Sequence, residues 1–249
     1  MTTRTLHYQG TPVPTVSAAQ MAWVDERMMH AYHVQLLQMM ENAGAALAAL
    51  SAALMHSRRR PSVAVLAGAG GNGGGGMAAA RRLAAWGWSV QVLLTHSKLR
   101  DAAKTQREIL DAMAVSVHPA DPRGMSATLA RADLIIDAVL GYSIVGAPRG
   151  LARAVIQAAN ASGAPILALD IPSGLHPDSG VPFEPTIDAT ATLTLALPKA
   201  GLAAATAEHV VGTVYLADIG VPSCLYTELG LFVPPLFPGN PYIQLDNSK

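Results

Sequence analysis

Val63-Ala64-Val65-Leu66-Ala67 runs straight into Gly68-Ala69-Gly70-Gly71-Asn72-Gly73-Gly74-Gly75-Gly76, and Met77-Ala78-Ala79-Ala80-Arg81-Arg82-Leu83 follows. An apolar run, a stretch nearly free of side chains and a helix-forming segment, in that order, predict a buried strand, a loop and a helix start. α/β proteins use this arrangement to bring main-chain N–H groups against phosphate. Eight of the nine residues from Gly68 to Gly76 are Gly or Ala, so Asn72 is the lone polar side chain among them. That isolation marks it as a candidate ligand.

The rest of the chain repeats the strand and helix alternation. Short continuous apolar runs predict strands at 62–67, 89–94, 115–118, 133–139, 165–170, 190–197 and 212–217, and such runs suit strands covered on both faces. Helical segments near 77–86, 101–113, 124–131 and 150–161 lie between them. The expectation is a three-layer, doubly wound, mostly parallel sheet. Two helices precede it: Ser17-Ala18-Ala19-Gln20 reads as a capping box ahead of Met21, Val24, Met28 and Tyr32, and a second helix follows near Val34. Residues 1–16 are read as an N-terminal arm, 17–230 as one domain and 231–249 as a C-terminal tail forming a surface extension or partner-contacting arm.

With 249 residues, 51% of them hydrophobic, the chain can bury a substantial core. Seventeen basic and seventeen acidic side chains cancel, and 5% aromatic residues offer few stacking platforms, which argues against a nucleic-acid groove or an anionic membrane partner. One cysteine, Cys224, and an N-terminal segment without an apolar signal region lead to the expectation of a cytoplasmic setting. The longest apolar segment, Ala189 to Ala207, is interrupted by Pro198-Lys199, too broken for a bilayer span.

Open parallel sheets bind ligands beyond the carboxyl ends of their strands. There the sequence places Asn72, Asp137 at the end of Asp133-Leu134-Ile135-Ile136-Asp137, Asp170 at the end of Ile166-Leu167-Ala168-Leu169-Asp170, Ser173, and Lys199. An Asp after an apolar strand can also simply cap the next helix. Two such carboxylates on one rim would repel, so a bound cation or a retained proton is expected, and oxygen donors favour a hard ion over zinc. The eight histidines are scattered and supply no zinc cluster. Arg58-Arg59-Arg60 is read as a solvated helix end with phosphate contact as the alternative. Lys98 and Lys199 are read as surface lysines, or else as groups for phosphate contact or proton transfer.

Gly68, Gly70 and Gly73 satisfy a dinucleotide-binding fingerprint, but the next strand ends Leu94-Thr95-His96 with no acid to take a ribose hydroxyl. The loop ends Gly76-Met77 rather than Gly-Lys-Ser/Thr, which disfavours a Walker P-loop. Ser173 sits in Asp-Ile-Pro-Ser-Gly, so there is no hydrolase nucleophile elbow around it.

Five motifs, in order, resemble the NAD(P)H-hydrate epimerase family, the YjeF N-terminal domain: Met40-Glu41-Asn42-Ala43-Gly44, the glycine stretch with Asn72-Gly73-Gly74, Asp137-Ala138-Val139-Leu140-Gly141, Asp170-Ile171-Pro172-Ser173-Gly174-Leu175 and Pro198-Lys199-Ala200-Gly201-Leu202. The resemblance implies a Rossmann-like fold, often a homodimer, that epimerises hydrated NADH and NADPH at C6 and is coupled to a dehydratase acting on the same damaged cofactors. It further implies one potassium ion per subunit, held by Asn72, Asp137 and Ser173. Substrate contacts carried over are Gly71, Asn72, Gly73, Gly74, Gly75, Gly141, Tyr142, Ser143, Ile144, Val145, Gly146, Ala147 and Asp170, with Asp170 as the acid/base. The family's Asn-Asn-Gly-Gly-Asp-Gly is altered here, with Gly71 for the first Asn and Gly75 for the Asp. The alternative implied by that loss is a non-catalytic nucleotide-binding or scaffold protein of the same fold.

Overall fold

The structure is a computed structural model that describes residues 4–237 and 239–247. Its N-terminal part comprises β1 (Leu6–Tyr8), β2 (Thr11–Pro12), α1 (Ala18–His30) and α2 (Leu36–Leu54). The predicted capping box is present: Gln20 N–H donates to Ser17 Oγ at 3.1 Å, and Ser17 N–H donates to Gln20 Oε1 at 2.9 Å. Met21, Val24 and Met28 are the buried residues of α1, as their spacing requires.

The alternating region follows as β3 (Ser62–Ala67), α3 (Gly71–Ala85), β4 (Ser89–Leu94), α4 (Asp101–Ala112), β5 (Ser116–Pro119), α5 (Met125–Leu129), β6 (Leu134–Ala138), α6 (Gly150–Asn160), β7 (Ile166–Leu169), β8 (Ala191–Leu195) and β9 (Thr213–Ala217). The chain ends with β10 (Tyr242–Gln244) and β11 (Asp246–Asn247). Eight strands form one sheet in the order β10-β9-β8-β7-β6-β3-β4-β5, parallel except where β10 joins β9. A smaller sheet has the order β11-β1-β2.

Neighbouring side chains on each strand leave in opposite directions, so each strand feeds two apolar layers. Val63, Val65 and Ile136 pack with Leu47, Met77, Leu83 and Leu110 from α2, α3 and α4. Ala64, Leu66 and Ile135 pack with Leu129, Val155 and Ile156 from α5 and α6. These two layers around the sheet are the three-layer, doubly wound architecture expected from the apolar runs. A third cluster joins Met21, Val24 and Met28 to Leu216 and Ile243. The segment after Pro234, expected as a surface extension, therefore supplies the antiparallel edge strand β10 and part of a core.

The strand order turns back at β3, which lies between β4 and β6. Chain leaving β3 goes one way along the sheet and chain leaving β6 the other, so their carboxyl-end loops part and leave a crevice.

The glycine-rich stretch differs from its sequence reading. The helix starts at Gly71, not Met77, so Gly73 to Gly76 belong to α3. Close approach explains the composition. A Cβ on Gly73 would lie 2.0 Å from the Gly68 carbonyl oxygen, and one on Gly76 would lie 2.5 Å from Ala138 Cβ. Glycine is here a packing device that seats α3 directly on β3 and β6.

Candidate active site

Three loops meet at the crevice. After β3, Gly68 donates its N–H to Ala138 O at 3.0 Å, tying the glycine stretch to the end of β6. After β6, Gly141 lies against both other loops: a Cβ there would be 3.2 Å from Asp170 Oδ2 and 3.4 Å from Asn72 Cγ. After β7 comes Asp170 itself, at φ +72°. A non-glycine residue in the left-handed region stores of order 1–3 kcal/mol of strain and persists where surrounding contacts fix it. Here its N–H is held by Leu193 O at 2.8 Å and its Oδ2 by the Tyr142 N–H at 3.0 Å.

Asp137 is fully buried. Its Oδ1 accepts from Ser173 Oγ at 2.6 Å and from Val139 N–H at 3.2 Å, and its Oδ2 accepts from Ser173 N–H at 2.8 Å. Ser173 Oγ in turn accepts from Leu140 N–H at 2.8 Å. These bonds staple the loops after β6 and β7. No cationic side chain pairs with Asp137 among the described residues, and burial pushes its carboxyl up to about 6 despite the three hydrogen bonds. Against Gly141, the Asn72 amide nitrogen is buried without a hydrogen-bond partner. Turning that amide by 180° presents its oxygen at the same point. An uncompensated carboxylate, a hydroxyl with a spare lone pair and an amide without a partner are donors of the kind that a hard cation accepts through oxygen.

Lys199 corrects the sequence reading. Its sequence context suggests a surface lysine, yet its exposure is 1%, and its Nζ forms an ion pair with Asp170 Oδ1 inside the protein. The same Nζ donates to Leu195 O at 2.9 Å and lies 5.6 Å from the centre of the Tyr142 ring. Tyr142 OH donates to Asp25 of α1. Asp25 is not among the residues that the sequence singles out. The one signal for it was its position four residues after Met21, on the edge of the apolar face of α1.

The remaining candidates divide by position. The amides at the start of α3 belong to Gly71, Asn72 and Gly73, whereas Gly74 N–H already bonds Gly70 O at 3.0 Å. Gly74 and Gly75 are buried beside Met40 and Leu169. Gly141, Tyr142 and Ile144 are half-buried, while Ser143, Val145, Gly146 and Ala147 are exposed on the same loop. Lys98 is exposed after the carboxyl end of β4. Arg58-Arg59-Arg60 precedes β3, and Arg58 pairs with Asp133 at 3.2 Å on the amino-end edge, opposite the crevice. Phosphate contact within this site is thereby excluded for the triplet.

The family model for the YjeF-related protein N-terminus matches residues 36–201, the span holding every loop just described. The chain belongs to this YjeF N-terminal family. The NAD(P)H-hydrate epimerase of Dehalogenimonas lykanthroporepellens is 37% identical over 226 residues, covering 90% of this chain and 89% of that protein. The NAD(P)H-hydrate epimerase of Rhodopirellula baltica is 32% identical, covering 84% of this chain and 86% of that protein. A bifunctional NAD(P)H-hydrate repair enzyme of Moorella thermoacetica is 34% identical over 84% of this chain, which spans 41% of that longer protein. A yeast protein of known structure shares the fold at a TM-score of 0.83 and 23% identity, covering 93% of this chain and 100% of that one. Set in the YjeF N-terminal fold, Gly71 is exposed with Met40 Cε in ordinary contact at 3.9 Å from where a Cβ would be, and Gly75 is buried with Leu169 Cδ2 only 3.0 Å from that position. The two departures from the family pattern thus stand in different surroundings.

Proposed function

We propose that this chain interconverts the R and S epimers of hydrated NADH and NADPH at C6, a cofactor-repair isomerase serving a dehydratase. The observation that carries this reading is the buried Asp170–Lys199 pair, set beside Asn72 and Gly141 at the reversal of strand order. It stands alongside relatives that are epimerases over nearly their whole length.

The chemistry asks for one proton transferred and returned. The ring-nitrogen lone pair forms a C=N bond as the C6–O bond breaks, and the departing oxygen takes a proton and leaves as water. Water then adds to the opposite face of the iminium and gives the proton back. The Asp170–Lys199 pair holds one acidic proton between its two groups: Lys199 stores it, Asp170 passes it to the departing oxygen, and the pair recovers it by the same route when water adds. The first amides of α3, from Gly71 to Gly73, receive the pyrophosphate. Asn72, Asp137 and Ser173 would hold one potassium ion, which would offset the Asp137 charge and fix the loops around the pocket.

The test is incubation of the separated R epimer of hydrated NADH with the protein, in potassium and in tetramethylammonium buffer, with chromatography of the S epimer. Formation well above the protein-free rate supports the reading. A rate equal to the protein-free control in both buffers leaves the non-catalytic alternative.

A further inference from the structure

Lys199 is an ammonium group held in a dry place by three partners of different kinds. Asp170 Oδ1 takes it as an ion pair, Leu195 O accepts at 2.9 Å, and the Tyr142 ring face lies 5.6 Å away. The ring quadrupole attracts a cation at that range, more strongly where water is excluded. Tyr142 also touches the other half of the pair, since its N–H donates to Asp170 Oδ2 at 3.0 Å. One residue therefore contacts both members of the proposed acid/base machinery.

What fixes Tyr142 is a group far away in sequence. Its hydroxyl donates to Asp25, 117 residues earlier, in α1. Asp25 is half-buried on a helix whose neighbouring inward residues are Met21, Val24 and Met28. Burial pushes its carboxyl upward, against the Tyr142 hydrogen bond and the Lys199 charge that pull it down, so a carboxylate is an expensive choice at this position. The Tyr142 hydroxyl is the hydrogen-bond partner that accommodates an acid there. Asp25 also lies outside residues 36–201, the span matched by the family model.

Resting on the reading of Asp170 and Lys199 given under Proposed function, we propose that Asp25 and Tyr142 are positioning residues. Asp25 locks the Tyr142 ring through its hydroxyl, and the ring face holds the Lys199 ammonium against Asp170. Helix α1 is on this account part of the active site, linked to the reacting groups through Tyr142.

The experiment compares full-length wild type with D25N, Y142F and D25N/Y142F. Phenylalanine keeps the ring and removes only the hydroxyl, and circular dichroism with thermal melts checks that each variant is folded. Each single variant is expected to lose kcat for epimer interconversion on the order of tenfold, as a small misplacement of a reacting group does, with KM changed less than about twofold. The double variant is expected to lose no more than the worse single variant, because both changes break one connection. A second readout needs no turnover: the labelling rate of Lys199 by trinitrobenzenesulfonate, read by peptide mass, is expected to rise several-fold in D25N and Y142F relative to wild type. Full kcat in both single variants, losses that multiply in the double variant, or unchanged Lys199 labelling would each overturn the proposal. If wild type itself fails to interconvert the epimers, the functional reading falls, and the labelling rates alone decide whether Asp25 and Tyr142 hold Lys199.

Discussion

Lys199 and Asp170, from the loops that follow two adjacent strands, form an ion pair whose side chains are only 1% and 4% exposed. Removing one partner strands the other charge away from water, a change that costs about 3–5 kcal/mol at such sites. D170N and K199M are each expected to lose stability on that scale in urea unfolding. The double variant D170N/K199M is expected to recover most of the loss, because no unpaired charge remains. Additive losses in the double variant would contradict the pairing.

Ser173 is expected to be structurally indispensable in a smaller way. Its hydroxyl donates to Asp137, with Leu140 O a second acceptor at 3.2 Å, and accepts from Leu140 N–H, so S173A removes a bond to a carboxylate and leaves the Leu140 N–H without its acceptor. A loss of about 2–4 kcal/mol follows, measured by chemical denaturation.

The proposed potassium ion would stabilise the fold through Asp137. An ion at 100 times its Kd adds about 2.7 kcal/mol to a state that alone binds it. Wild type is expected to melt higher in potassium than in tetramethylammonium buffer. D137N, which keeps the size but loses the charge, is expected to show no such difference, and an equal shift in D137N would remove Asp137 from the ion site.

Restoring the family's two missing side chains should give opposite results. Gly71 is exposed, and the only atom near a Cβ there is Met40 Cε at 3.9 Å, so G71N is expected to leave stability within about 0.5 kcal/mol. Gly75 is buried with Leu169 Cδ2 at 3.0 Å from the Cβ position. G75D adds crowding worth about 1–3 kcal/mol, plus the cost of burying a carboxylate. Thermal melts of the two variants check this.

The pH response of Asp133 has a defined sign. Hydrogen bonds from Ser62 N–H and Ser62 Oγ, with Arg58 nearby, hold its carboxyl below the ordinary value of 3.8. A carboxyl lowered on folding adds stability above its unfolded pKa and loses it as pH falls through the folded one. D133N should therefore be less stable than wild type at pH 7, with the gap closing below about pH 4. A gap that persists undiminished at pH 2.5 would show that ionisation is not its source.

Sequence order made much of this readable, for physical reasons. Strands β3, β6 and β7 are buried on both faces and so appear as unbroken apolar runs, and the first polar side chain met at or after the end of each run falls at the rim. Asn72, Asp137 and Asp170 were legible on that account. Chain geometry hid the rest. Gly73 to Gly76 look like a loop because composition cannot distinguish glycine required by turning from glycine required by contact with Gly68 O or Ala138 Cβ. Lys199 looks like a surface residue until Asp170, Leu195 O and the Tyr142 ring are brought to it. Asp25 meets Tyr142 across 117 residues, which leaves no local pattern. Strand β10 has three residues and exists through its pairing with β9.

The most direct test of the account is the initial rate of S-epimer formation from the pure R epimer of hydrated NADH, compared between wild type and D170N at matched folded concentration. With Asp170 as the group that gives and recovers the proton, the D170N rate falls to that of the protein-free solution while wild type turns over. Wild-type turnover in D170N would contradict the assignment of the chemistry to this carboxylate.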